Sequence, residues 1–152
     1  MTLEAILAAV HLLAILTAVV FVTSETAICR SEWMNAKVVN RLVTVDRIYL
    51  IGLAAVLASG LARIQWGMKG DAWYWGNWLL HLKLTLFVVV ALLAIRPARM
   101  YHAWQRQLAA TGALPGEAEV RSARRQVMVA AHLIALVPVA GAFLARGFGA
   151  IG

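Results

Sequence analysis

The strongest constraint on this chain is where its charges are missing. Ala5 to Ser24 is a run of 20 residues without Asp, Glu, Lys or Arg, and Gln126 to Ala145 is a second. Ala72 to Ile95 is broken only by Lys83, and Ile48 to Ala62 gives 15 uncharged residues between Arg47 and Arg63. A bilayer core about 30 Å thick is crossed by roughly 20 helical residues. Lipid cannot hydrogen-bond a bare backbone, so helices suit the task. The spacing predicts four membrane-crossing helices, at about 3–29, 40–66, 76–98 and 124–146. The second crosses only if Arg63, or the Asp46–Arg47 pair, lies at membrane depth. Composition agrees: 62% of the 152 residues are hydrophobic and 14% charged, too few charges to cover a soluble globule of this size. The expected fold is an all-α, up-down four-helix bundle, one membrane domain over residues 1–152. A single cysteine, Cys29, excludes a disulfide framework and any multi-cysteine metal site.

The remaining charges set an orientation. Arg30, Lys37, Arg41 and Arg47 follow the first segment, and Arg96, Arg99, Arg106, Arg121, Arg124 and Arg125 follow the third. An up-down bundle puts these ten at one end and leaves Arg63, Lys69 and Arg146 at the other. By the positive-inside rule both termini face the periplasm of a bacterial inner membrane. The net charge of +7 then reflects topology and contact with anionic lipid, not nucleic acid. The N-terminus has no basic region before its apolar run, so the first helix is expected to remain in place. Four Trp and one Tyr between Trp66 and Trp78 suit an interfacial belt, or an aromatic lid over a site that opens outward. The stretch Leu108 to Val120 reads as a flexible connection.

Ionisable groups at membrane depth are functional candidates by default. Helical periodicity places His11, Ile15, Ala18, Val22 and Glu25 on one face of the first helix. It places His132, Leu136, Val139, Phe143 and Arg146 on one face of the fourth. If those faces meet, His11 pairs with Arg146 near the outside and Glu25 with His132 near the inside. Gly52, Val56, Gly60 and Arg63 share a face of the second helix, where small residues admit a helix backbone or a flat cofactor. His81 and Lys83 point about 200° apart on the third helix, so only one of them faces the centre. If it is His81, Lys83 snorkels toward the headgroups. His11 and His81 are candidate axial ligands of a haem b, with Arg63, Lys83 and Arg146 in the same outer half to meet its propionates. No phosphate loop, HExxH or nucleophile elbow is present.

The chain resembles a bacterial family of small four-helix membrane proteins of unknown function. The likeness rests on His11 and Glu25, on Asp46-Arg-Ile-Tyr49, on Gly60-Leu-Ala-Arg63, and on Lys69-Gly70, Tyr74 and Asn77. Lys83-Leu-Thr-Leu-Phe87, Pro97, Trp104, Arg124-Arg125, Pro138 and Ala145-Arg146-Gly147 continue it. That family is distantly similar to the haem-b-binding membrane protoporphyrinogen oxidases, which share a His in the first helix and a Lys in a later one, here His11 and Lys83. A weaker likeness reaches the copper-resistance D-type membrane proteins. In the family pattern the position of His81 is often aromatic and that of His132 often Glu, which moves weight from His81 to Lys83. The helix after His11 also lacks the Trp-Gly of the oxidases.

The resulting expectation is an inner-membrane b-type haem protein with an electron-transfer or oxidoreductase role on a porphyrinogen or quinol. His11 and His81 would be metal ligands, Arg63 and Arg146 propionate partners, and Lys83 the catalytic contact to an anionic substrate. A redox partner or quinone and a second copy of the chain are its candidate partners. Two alternatives stand beside it: a cofactor-free accessory subunit, and proton or ion translocation through Glu25 and His132.

Overall fold

A computed structural model describes residues 2–67 and 69–149. Met68 of the aromatic loop and the chain ends of the 1–152 domain lie outside the described residues. Helix α1 runs Thr2–Ile28, α2 Ala36–Trp66, α4 Trp78–Thr111 and α5 Glu117–Ala145, with a short helix α3 at Asp71–Trp75 and a 3-10 turn at Ser31–Trp33. All four long helices are long and apolar enough to cross a membrane. Their outward faces carry large apolar side chains such as Leu13, Ile51 and Leu92, each about 60% exposed. Water would penalise such a surface, whereas acyl chains do not.

The starts of the long helices are written in the sequence. The Asn35 side chain accepts hydrogen bonds from the backbone N–H groups of Lys37 and Val38, at 2.9 and 3.1 Å. Asn77 does the same for Leu79 at 3.0 Å, and the Glu119 carboxylate accepts from the N–H of Gly116 at 3.3 Å. Each cap satisfies donors that the first helical turn leaves without partners. Gly112 ends α4 with φ +71°, a conformation that favours glycine, and its N–H donates to the Leu108 carbonyl at 2.9 Å.

Helix α4 is the main departure from the expected boundaries. It continues 13 residues past the expected end at 98, and α5 begins at Glu117 rather than 124, so the expected flexible loop shrinks to five residues. At 34 residues α4 is about 50 Å long and outruns a bilayer core. Its extension is charged on one side but packs Tyr101 and Trp104 inward on the other. A search for charge-free runs misses such a helix, because Arg99 and Arg106 are tolerated once the helix has left the lipid.

The helices form a square. α1 packs chiefly on α2, α4 chiefly on α5, and the ring closes through α1 with α5 and α2 with α4. α1 and α2 approach backbone to backbone: a Cβ added at Gly52 would sit 3.3 Å from the Ala18 Cα. That contact realises the small-residue face expected on α2. A long apolar core around Ala18, Val22, Leu42, Tyr49, Val90 and Ala130 fills the middle and the end that carries the ten basic residues, here the basic end. A smaller cluster of Ile64, Tyr74, Leu79, Leu80 and Leu144 closes the end where α1 begins and α5 stops, here the terminal end. Polar side chains gather between the two.

Candidate functional site

All four long helices meet at His11. It is 4% exposed on α1. Its Nδ1 lies 2.8 Å from the Ser59 Oγ on α2, and its Nε2 lies 3.0 Å from the Lys83 Nζ on α4. Gly60 of α2 presses on the ring, since a Cβ there would fall 3.2 Å from Cε1. Gly141 of α5 lies beneath the amine, with a Cβ position 3.5 Å from Nζ.

The proton positions follow from the partners. The single Ser59 hydroxyl proton is used on the Ala55 carbonyl, 2.6 Å away. Ser59 Oγ must therefore accept from His11 Nδ1–H, which leaves a lone pair on Nε2, and Lys83 must donate to it. The chain Lys83 to His11 to Ser59 to Ala55 carbonyl thus has one direction. Toward the terminal end, Arg63 donates to Glu4 at 3.1 Å, each side chain about one-quarter exposed.

Two small cavities adjoin the dyad, each of about 40 Å³. One is lined by His11, Leu57, Gly60, Leu61, Lys83 and Phe87 between α2 and α4. The other continues past Arg63, Tyr74 and Gly141. Leu57 and Leu61, on the lip of the first, are 43% and 47% exposed, so the cleft opens sideways to where lipid lies. An open groove of about 330 Å³ along Ala58, Leu61, Ala62, Trp66 and Trp75 leads away from it.

Several sequence-based pairings are corrected. His81 does not face the bundle: it is exposed, and its Nε2–H donates to the Trp75 carbonyl at 2.9 Å. Lys83 takes the inward position and does not snorkel. Arg146 is exposed and donates to the Ala142 carbonyl of its own helix at 3.3 Å, so it does not meet His11. His132 is also exposed, with Nδ1 donating to the Met128 carbonyl at 2.6 Å, so it does not meet Glu25. The face of α5 chosen from periodicity is its outward one: Leu136, Val139 and Phe143 are each about half exposed. α1 and α5 are neighbours as expected, but the buried face of α5 carries Ala123, Ala130 and Ile134. In the aromatic loop, Trp66, Trp75 and Trp78 point outward as a belt would, and Tyr74 is turned over the cavity. Lys69 sits 4.0 Å over the Trp73 ring and ties the loop to the Ala145 carbonyl at 3.0 Å.

Glu25 itself is 1% exposed, as expected of its face, but its company is Asp46 and Tyr49 of α2 and Tyr101 of α4. The sequence reading named Asp46 without assigning it a site, and it missed Ser59, Tyr101 and Gly141. Cys29 is fully buried with its thiol 3.8 Å from the Val120 carbonyl.

The residues expected to hold a haem are engaged with other partners as packed. His11 offers the right nitrogen, with Nδ1–H held by the Ser59 oxygen as metal-ligating histidines are held by a hydrogen-bond acceptor. Lys83 takes up that lone pair, His81 is turned away, and the space beside Gly60 is filled by the His11 ring. The closed cavities, about 40 Å³ each, are of a size for water, so any larger occupant requires the helices to part.

A square of four helices, each long and apolar enough to cross a membrane and closed over a Lys–His–Ser chain, is the architecture of a small membrane protein. The chain matches the family described as "Predicted membrane protein (DUF2214)" over residues 3–149, and it belongs to that family. No curated protein and no solved structure matches it.

Proposed function

We propose that the chain is a membrane-embedded binding protein that takes the polar head of an amphipathic molecule from the lipid into the cleft between α2 and α4. The observation that carries this reading is Lys83 Nζ at 3.0 Å from His11 Nε2 on the floor of a cleft with an exposed leucine lip. Lys83 has donors to spare after serving His11, and Arg63 lies farther along the same cavities. The head must therefore offer acceptors, and the tail must be apolar enough to follow the groove past Trp66 and Trp75. A quinone has both: carbonyl oxygens on a flat ring and a polyprenyl tail. Entry needs α2 and α4 to part, since the closed cavities are small. We further propose that this end faces the periplasm across a bacterial inner membrane, on the ten-to-three distribution of cations. A C-terminal alkaline phosphatase fusion should then be active, and an inactive one reverses the orientation.

The binding test is a titration of protein in nanodiscs with a short-chain quinone, read by tryptophan fluorescence. Saturable quenching is expected, weakened about tenfold or more by Lys83→Met, the loss of one charge-assisted hydrogen bond. An affinity unchanged by Lys83→Met and by His11→Phe overturns the reading. Haem b is the rival occupant, supported by the distant oxidase likeness and by the His11 tautomer. A reducible Soret band in protein from haem-replete cells, lost in His11→Ala, would put haem in the quinone's place.

A further inference from the structure

The other polar cluster lies near the basic end and plays no part in that cleft. α1 brings Glu25, α2 brings Asp46 and Tyr49, and α4 brings Tyr101, each at most 1% exposed. Glu25 and Asp46 are within electrostatic range of one another, and both tyrosines are within range of both carboxyls. Both Asp46 oxygens, Oε1 of Glu25 and the Tyr49 phenol have no hydrogen-bond partner among the described residues, while the Tyr101 phenol lies beside Glu25 and the Cys29 thiol.

Arg124 and Arg30 lie toward this end of the bundle, and neither pairs with the two carboxyls. Arg124 of α5 approaches Cys29 and donates through Nε to the Thr26 carbonyl at 3.3 Å. Arg30 stacks over Trp33, 4.8 Å from the ring centre. Among the described residues, no Lys or Arg forms an ion pair with Glu25 or Asp46. Two carboxylates within electrostatic range of one another in a dry, apolar interior cannot both stand uncompensated, because desolvation and mutual repulsion oppose them.

We propose that this cluster is a cation-binding site, in which Glu25 and Asp46 hold one exchangeable unit positive charge, an alkali-metal ion or a proton. The two carboxyls and two phenols offer oxygen, which suits a hard cation, and the buried Cys29 thiol stands behind Tyr101. The two phenols supply the rest of its surroundings: an oxygen lone pair toward a metal ion, or a hydroxyl proton toward a carboxylate. A calcium-like ion would need about six to eight oxygens. The described residues form no group of three or more His, Cys, Asp or Glu that could hold a metal ion. A monovalent charge asks for less.

The experiment uses the whole chain in nanodiscs. Its melting temperature is followed from zero to high sodium, with choline chloride keeping ionic strength constant, and the carboxylic-acid carbonyl band is followed by infrared difference spectroscopy on a pH step. For an alkali ion, the melting temperature should rise saturably by about 3 °C or more, and the rise should vanish in Asp46→Asn. For a proton, melting should ignore sodium, while the pH step reveals a carbonyl band that is lost in Glu25→Gln or Asp46→Asn. Tyr49→Phe keeps both carboxyls and should weaken either response by about threefold or more. A wild-type protein that shows neither sodium dependence nor a titrating carboxyl band overturns the proposal.

Discussion

The molecule buries polar groups at two levels and treats them in opposite ways. Around His11 every proton is placed: Lys83 donates to Nε2, Nδ1–H donates to Ser59, and Ser59 donates to Ala55. Around Asp46 neither carboxylate oxygen has a partner among the described residues, and nor does the Tyr49 phenol beside it. A saturated chain of hydrogen bonds holds three helices in register. An unsaturated cluster costs stability and persists for something that fills it. The two levels should therefore respond to substitution with opposite signs.

The largest effect is expected at Gly60. A side chain there meets the His11 ring at 3.2 Å, and the ring cannot retreat without losing Ser59 or Lys83. Gly60→Val combines overpacking with two broken hydrogen bonds and should destabilise the protein by about 3 kcal/mol or more. Thermal unfolding in detergent reads it, and wild-type melting in Gly60→Val would mean the ring does not sit against α2. Ser59→Ala comes next. It leaves His11 Nδ1–H buried without an acceptor, at a cost of about 1–3 kcal/mol. Asp46→Asn carries the contrast. It removes an uncompensated charge and should raise the melting temperature in sodium-free buffer, by the equivalent of about 1 kcal/mol. If Ser59→Ala and Asp46→Asn shift stability in the same direction, the two levels are not different in kind.

How far the sequence disclosed all this depended on the solvent each segment meets. Charge-free runs located four helices because lipid excludes charge, and the face of α1 from His11 to Glu25 came out correctly. The inward face of α4 was also readable: Leu80, Lys83, Phe87, Val90, Ala94, Pro97, Tyr101 and Trp104 recur every three or four residues, and His81 falls outside that stripe. On α5 periodicity alone was insufficient. Both faces are apolar, so a stripe such as Leu136, Val139 and Phe143 reads as core when it is the lipid side. Residue size separates them: Ala123, Ala130 and Gly141 mark the side where helices approach. The Lys83–His11 contact runs between helices that are not neighbours in the ring, and no single-helix pattern predicts a diagonal.

The smallest predicted effects belong to the two histidines that the sequence promoted and the fold turns outward. His132 bonds to Met128 within α5, and His81 bonds back to Trp75 of the adjoining short helix α3, so neither ties one long helix to another. An exposed side chain bonded within its own segment contributes little to the folded state, and outward positions here already carry Leu and Phe. His81→Phe and His132→Leu should each change stability by less than about 0.5 kcal/mol. Both should leave quinone quenching and sodium dependence as in the wild type. His11→Phe, at the one histidine whose two ring nitrogens are both engaged by other helices, should abolish the quenching. If His81→Phe proves as damaging as His11→Phe, then α4 is rotated by about 200° from the orientation described, and Lys83 has left the cleft.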